Sequence, residues 1–129
     1  MKKLISILLI LMICAAMCAC GDVSQAKIID TDSKIYTQEE LSDAIHTAID
    51  YFRQNYDHCK LLNIRYAGDG NMREEFGLVV VFDFSTDNSD AVYKLGSFSP
   101  GETYSDMSFG MVRNGSGKWE VKNVGWYGT

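Results

Sequence analysis

The sequence predicts an α+β domain in which one long amphipathic helix packs across a curved antiparallel sheet of about four strands. Three observations predict this fold class: a capped helical pattern over about residues 38–56, a two-residue periodicity after it, and a hairpin signal at residues 114–117. A helix followed by strands that hairpins connect is typical of α+β domains. With 129 residues, 47% of them hydrophobic, the chain suits one domain with an ordinary core.

The chain begins with a segment typical of an export signal. Two lysines precede an apolar run over residues 4–17, which is shorter than the roughly 20 residues needed to span a bilayer. Cys20 follows the small residue Ala19 directly, and here the chain resembles a bacterial lipoprotein signal. The resemblance implies that residues 1–19 are removed as a signal peptide and that Cys20 is lipidated. Two acyl chains would anchor the chain stably, and the alternatives are a retained leader or release into the medium.

Removal of the leader changes both the charge and the cysteine content. It leaves 10 Lys and Arg residues against 17 Asp and Glu residues, so the formal net charge moves from −5 to −7. Such an acidic chain is a poor candidate for nucleic-acid binding, which needs basic side chains to neutralise phosphates. Cys14 and Cys18 leave with the leader and Cys20 carries the lipid. Cys59 is therefore expected to remain as a free thiol, without an intrachain disulfide.

The helix signal divides the rest of the chain into a tether and a domain. Residues 20–35 are predicted to form the lipidated cysteine and a flexible tether, because they are polar and lack strong periodicity. Thr37 and Glu40 then form a capping box, so a helix from Gln38 to about Tyr56 opens a single domain over residues 36–129. Apolar residues recur on one face of this helix: Leu41, Ala44, Ile45, Ala48, Ile49, Phe52 and Tyr56.

After the helix, the apolar residues alternate with a period of two. The segment 91–102 is ambiguous between a short strand, a turn of helix and loop. Residues 114–117 read Asn-Gly-Ser-Gly, which favours a hairpin because Asn and Gly tolerate positive φ. Strands are predicted over residues 62–66, 75–85, 103–113 and 118–127.

Two resemblances follow from this order of elements and from local sequence. The order is similar to cystatin-like folds, which include the cone-shaped domains of the nuclear-transport-factor-like superfamily. The Gln-x-Val-x-Gly loop of cystatin inhibitors is absent from the sequence. Residues 61–69 (LLNIRYAGD) and 112–121 (VRNGSGKWEV), together with the leader, resemble a family of uncharacterised short lipoproteins of Gram-positive bacteria. That resemblance covers about residues 36–127 and implies no catalytic residues.

The final hairpin carries the strongest candidate for a binding surface. Stacked aromatic residues bind sugars and peptides, and an edge strand accepts an added strand. The alternative is that these residues are cross-strand pairs and core. The candidate ligand-binding residues are Tyr104, Trp119, Trp126 and Tyr127.

Three further groups carry weaker signals, and no cofactor or metal is expected. His46 and Asp50 lie one turn apart on the polar face of the helix, where a solvated pair is expected. Cys59 follows His58, but neighbouring strand residues point in opposite directions, so a half-buried thiol is expected rather than a nucleophile. A turn rich in oxygen atoms is expected to make local hydrogen bonds rather than to bind calcium, and it contains Asp83, Asp87, Asn88 and Asp90.

The sequence therefore favours a lipid-anchored protein on the extracytoplasmic face of the cell membrane, with secretion as the alternative. Its domain is expected to be a non-catalytic module that binds an envelope protein or a small ligand. The sequence contains no phosphate-binding loop, nucleophile elbow or zinc signature. The competing hypothesis is an enzyme, or a small-ligand-binding cone-shaped domain, with a pocket between helix and sheet.

Overall fold

A computed structural model describes residues 21–71 and 77–127 of the chain. The leader and the lipidation candidate Cys20 lie outside the described residues. Within these ranges the chain forms one α-helix, five strands and two short 3-10 helices, at Asp69–Asn71 and Asp90–Leu95. The main elements in chain order are β1 (Lys27–Ile29), α1 (Gln38–Asn55), β2 (Cys59–Tyr66), β3 (Leu78–Thr86), β4 (Thr103–Arg113) and β5 (Trp119–Trp126).

The predicted α+β class is confirmed, with α1 packed on one face of a sheet. The prediction of about four antiparallel strands and a leading helix is corrected in two respects. The sheet has five strands in the order β1-β2-β3-β4-β5, and β1 precedes the helix. The sheet is mixed, because β1 runs parallel to β2 whereas the other neighbours are antiparallel.

The segment expected to be a flexible tether instead supplies the additional strand. Asp22 donates its N–H to the Cys59 carbonyl at 2.8 Å, and its own carbonyl accepts from Leu61 N at 2.9 Å. Ile28 then pairs with Ile64 in the parallel register. All three β1 side chains are exposed, so the strand is held by backbone hydrogen bonds and leaves no burial pattern in the sequence. The tether prediction therefore does not hold for residues 21–29.

Helix α1 follows the prediction closely. Thr37 Oγ1 accepts from Glu40 N, and Glu40 Oε1 accepts from Thr37 N, both at 3.1 Å, which completes the capping box. The helix ends at Asn55, and Tyr56 caps it by donating its N–H to the Phe52 carbonyl. Its buried face consists of Leu41, Ala44, Ile45, Ala48 and Phe52.

The core lies between α1 and the sheet and is rich in aromatic rings. Phe52 of the helix, Phe82 of β3 and Phe109 of β4 are fully buried. The ring centroids of Phe52 and Phe82 are 6.0 Å apart, and those of Phe82 and Phe109 are 4.3 Å apart. Burial of each such side chain contributes about 1.5–3 kcal/mol. These rings fill the space under the second half of the helix.

The last two strands form the hairpin that the sequence predicts. Asn114 N donates to the Lys118 carbonyl at 2.8 Å, and Gly117 adopts a φ of +77°, which a glycine tolerates at no steric cost. The ambiguous segment before β4 starts with the second 3-10 helix, and its Val92 and Phe98 side chains are buried. β5 is the last strand in the sheet order and lies beside α1.

Candidate functional site

The four candidate aromatic residues do not form one continuous face. Tyr104 is half-buried, stacks on Phe84 at a centroid distance of 5.4 Å, and accepts a hydrogen bond from Ser99 N through its hydroxyl. Trp126 is 43% exposed and lies 6.2 Å from the Tyr104 ring. These two rings are adjacent, but Tyr104 belongs largely to the packed core and Trp126 supplies most of the exposed surface.

The other two aromatic residues lie in different places. Trp119 is buried at the start of β5, and the Arg113 guanidinium lies 4.6 Å from its ring centroid. Tyr127 packs on Val79 and Val81, whose side chains face away from the helix. Both rings therefore support the fold, one on each side of the sheet.

A polar groove lies between α1 and the β4–β5 hairpin. Its upper part, near the start of α1, has a volume of about 410 Å³. Its lower part, nearer the end of α1, has a volume of about 380 Å³ and shares Thr47, Asp50 and Trp119 with the upper part. We call the two parts together the α1–β5 groove. Its upper part is lined by Glu40, Asp43, His46, Thr47, Asp50, Arg113, Gly117, Lys118 and Trp119. The lower part adds Tyr51, Gln54, Glu120 and Val121.

The two walls of the upper groove carry opposite charges. The helix wall presents the carboxylates of Asp43 and Asp50, whereas the hairpin wall presents Arg113 and Lys118. Arg113 bridges the walls through an ion pair with Glu40. Backbone hydrogen bonding from Thr37, followed by its side chain and by Arg113, keeps the pKa of Glu40 below its ordinary value.

His46 lies on the helix wall of this groove with a fixed orientation. Its Nδ1 atom is 2.7 Å from the Ser42 carbonyl oxygen. Because a carbonyl only accepts, Nδ1 is the donor in this contact. The sequence identified His46 and Asp50 as a solvated pair, and the structure places both on the groove wall. The sequence did not predict the hairpin wall, because Arg113 and Lys118 lie more than 60 positions after His46 and Asp50 in the chain.

The thiol next to His58 is held in its protonated form. Cys59 is buried, and this burial, reinforced by nearby Asp87 and Asp57, raises its pKa to about 12. His58 Nδ1 instead lies 2.8 Å from Asp87 Oδ2. Partial burial raises the pKa of Asp87, but hydrogen bonds from Ser89 N and His58 outweigh it and leave the pKa below its ordinary value. The expectation of a half-buried thiol is corrected, because Cys59 is only 2% exposed and is fully buried.

The acidic turn distributes its carboxylates over separate partners. Asp83 accepts from Asn63 Nδ2 at 3.0 Å and from Asp106 N at 2.9 Å. Asp87 accepts from Ser89 N at 2.9 Å. Over residues 21–71 and 77–127, no group of three or more His, Cys, Asp and Glu side chains is placed to hold a metal ion.

No family model, curated protein or solved structure matches the chain. In the described part of the chain, no helix has the length and apolar character that crossing a membrane requires.

Proposed function

We propose that the protein is a membrane-anchored extracytoplasmic lipoprotein whose domain is a non-catalytic binding module. The observation that carries the anchor is the pair Ala19-Cys20 at the end of an apolar run that follows two lysines. Two acyl chains on Cys20 give attachment without a membrane-spanning helix. The partners of the module are envelope proteins or small ligands, and its acidic balance disfavours nucleic acid.

The α1–β5 groove supports the binding role. A ligand in the groove would contact acidic side chains on one wall and basic side chains on the other. These opposite charges would fix the orientation of the ligand. The groove runs beside β5, the last strand in the sheet order, and Val124 and Trp126 on that strand are exposed. An extended peptide segment fits this combination, because an edge strand offers backbone hydrogen bonds and the neighbouring groove offers side-chain contacts.

The packing of the interior favours this proposal over a cone-shaped enzyme. Such an enzyme holds its substrate between helix and sheet, where Phe52, Phe82 and Phe109 are fully buried here and the Phe82 ring contacts the other two. The raised pKa of Cys59 also keeps its sulfur as a weakly reactive thiol at neutral pH. The competing enzyme hypothesis therefore needs a site on the outer surface. The α1–β5 groove lies on that surface, and we assign it to binding.

The anchor is tested on the full chain expressed in a bacterial host that processes lipoproteins. We expect the mature N-terminal peptide to begin at Cys20 and to carry acyl groups by mass spectrometry. A Cys20→Ser variant should lose the acyl mass and leave the membrane fraction, whereas the matched leader variant Cys18→Ser should behave as the parent. The proposal would be contradicted if the Cys20→Ser protein stayed uncleaved in the membrane fraction with the same acyl mass as the parent protein.

The binding role is tested by reversing charge on the helix wall. The double variant Asp43→Lys and Asp50→Lys is compared with Asp32→Lys and Glu102→Lys, which makes the same charge change at exposed positions outside the groove. Cross-linking in intact cells should recover a partner with the parent and the control but lose it with the groove variant. Equal recovery of every partner by all three proteins would exclude the groove as the contact surface.

A further inference from the structure

Gly21 is buried against the end of α1. Its N–H donates to the Arg53 carbonyl at 2.8 Å. A Cβ atom at this position would lie 2.8 Å from the Tyr56 carbonyl oxygen and 3.1 Å from that of Phe52. Because both neighbours are backbone atoms, a larger side chain would force the segment away from the helix. Glycine is therefore the residue that lets the chain pack against the end of α1 at position 21.

The chain stays tied to the domain from Gly21 onward. The backbone of Asp22 bonds to Cys59 and Leu61 at the start of β2, and residues 27–29 run parallel to that strand. The chain therefore enters from the end of the sheet where β2 begins. Cys20 precedes Gly21 directly in the sequence, and the Cα atoms of consecutive residues are about 3.8 Å apart in any chain. A lipid on residue 20 is consequently one residue away from the packed domain.

We infer that acyl chains on Cys20 hold the domain directly against a phospholipid bilayer through one defined end, an inference that rests on the lipidation proposed above. We call this surface the anchor end. A free 15-residue tether would have let the domain range over roughly 20 Å, and the docking of Gly21 removes that freedom. The anchor end consists of Gln54, Asn55, Asp57, His58 and Asp87, together with Asp22.

This placement also orients the binding surface. Helix α1 has 18 residues and is about 27 Å long, and its last turn belongs to the anchor end. The capping box at its start and the hairpin turn at residues 114–117 therefore lie on the side away from the lipid. The α1–β5 groove runs from Glu40 and Arg113 at this far side to Gln54 beside the headgroups. A ligand reaches the groove from the side, parallel to the membrane.

The charges of the anchor end determine how it contacts lipid. Asp22, Asp57 and Asp87 are exposed there, and Lys60 and Arg53 are partly exposed. Anionic headgroups attract clusters of basic residues, and these two basic side chains are outnumbered by the three carboxylates. The contact therefore depends on the acyl chains alone, and a protein without them should not adsorb to anionic vesicles.

The test measures which end of the domain lies near the headgroups. The lipidated full-length protein is reconstituted into phosphatidylglycerol–phosphatidylethanolamine vesicles that contain a nitroxide-labelled headgroup lipid. A fluorophore is attached through Gln54→Cys at the anchor end or through Ser116→Cys at the far end, both exposed positions. We expect several-fold stronger quenching at position 54. A flexible ten-residue Gly-Ser insertion between Cys20 and Gly21 should reduce this difference, because it adds about 17 Å of reach.

Each outcome supports or overturns the inference. Equal quenching at both positions on a protein whose N-terminal peptide carries acyl groups would overturn the docking on lipid and leave the proposed anchor intact. Stronger quenching at position 116 would place the opposite end on the bilayer and also overturn it. An N-terminal peptide without acyl mass, with no protein on the vesicles, would overturn both the inference and the proposed function.

Discussion

The Tyr66 hydroxyl donates a hydrogen bond to Asp69 Oδ1 at 2.7 Å, and the same carboxylate holds the segment that leads into α1. Ser33 Oγ donates to Oδ1 at 2.6 Å, and Lys34 N donates to Oδ2 at 2.7 Å. Tyr36 adds a hydrogen bond from its hydroxyl to the Gly77 carbonyl. The partly exposed carboxylate of Asp69 thus connects the end of β2 to the entry of the helix.

We expect Asp69→Asn to loosen the segment 33–36, because a neutral amide replaces a charged acceptor of three hydrogen bonds. Amide hydrogen exchange at Lys34 and Tyr36 should accelerate, while exchange at the centre of β3 stays slow. Asp32→Asn is the matched control, since it removes one carboxylate from an exposed residue directly before the segment 33–36. Unchanged exchange at Lys34 in Asp69→Asn would show that the carboxylate does not hold the segment.

The same contact gives a pH dependence. Hydrogen bonds from Ser33, Lys34 and Tyr66 lower the pKa of Asp69 below its ordinary value. The contribution to stability is therefore present above the ordinary pKa and is lost as the pH falls through the folded-state value. Protection of Lys34 N–H should consequently decline in acid in the parent protein, and this decline should be absent in Asp69→Asn.

Gly21→Ala should destabilise the docked N-terminal segment, because its Cβ would lie 2.8 Å from a backbone carbonyl oxygen. A forced close contact of this kind costs about 1–3 kcal/mol when the surroundings cannot move away. The urea concentration at the unfolding midpoint should be lower for Gly21→Ala than for the parent protein. Hydrogen exchange of the Asp22 N–H should also be faster in this variant. Gly115→Ala is the control, since a Cβ there meets no atom within 4 Å. Equal midpoints for both variants would contradict the close packing of Gly21.

The helix and the final hairpin were predictable because their signals are local. The capping box joins residues three positions apart, and the Asn-Gly-Ser-Gly turn lies within four positions. The strand β1 was not predictable, since its three exposed side chains carry no periodic pattern. The sequence identified His46 and Asp50 only as a solvated pair, and the hairpin residues that form a groove with them meet them only through the fold. Sequence spacing alone does not reveal contacts of this range.

Cys59 should resist alkylation in the folded protein. Its burial raises the thiol pKa to about 12, so the reactive thiolate is scarce at pH 8. Iodoacetamide should label it only after urea unfolding, as mass spectrometry of the peptide would show. A Ser116→Cys variant supplies an exposed thiol in the same chain as an internal control. Equal labelling rates at both positions in the native protein would contradict the burial of Cys59.

Alkaline titration should show late ionisation of two buried tyrosines, Tyr56 and Tyr66. Burial, with the hydrogen bond to Asp69, raises the pKa of Tyr66 to about 12, and burial raises that of Tyr56 further. Because the neutral phenol is favoured in the fold, this contribution to stability is present below about pH 10 and is lost as the pH rises through the folded-state pKa. Absorbance at the tyrosinate band should rise in two stages, and the later stage should coincide with unfolding by circular dichroism. Tyr66→Phe should diminish that later stage, because it removes one of the two buried hydroxyls. A single early stage in the parent protein would show that these hydroxyls are open to solvent and would contradict the packing of Tyr66 beneath the helix entry.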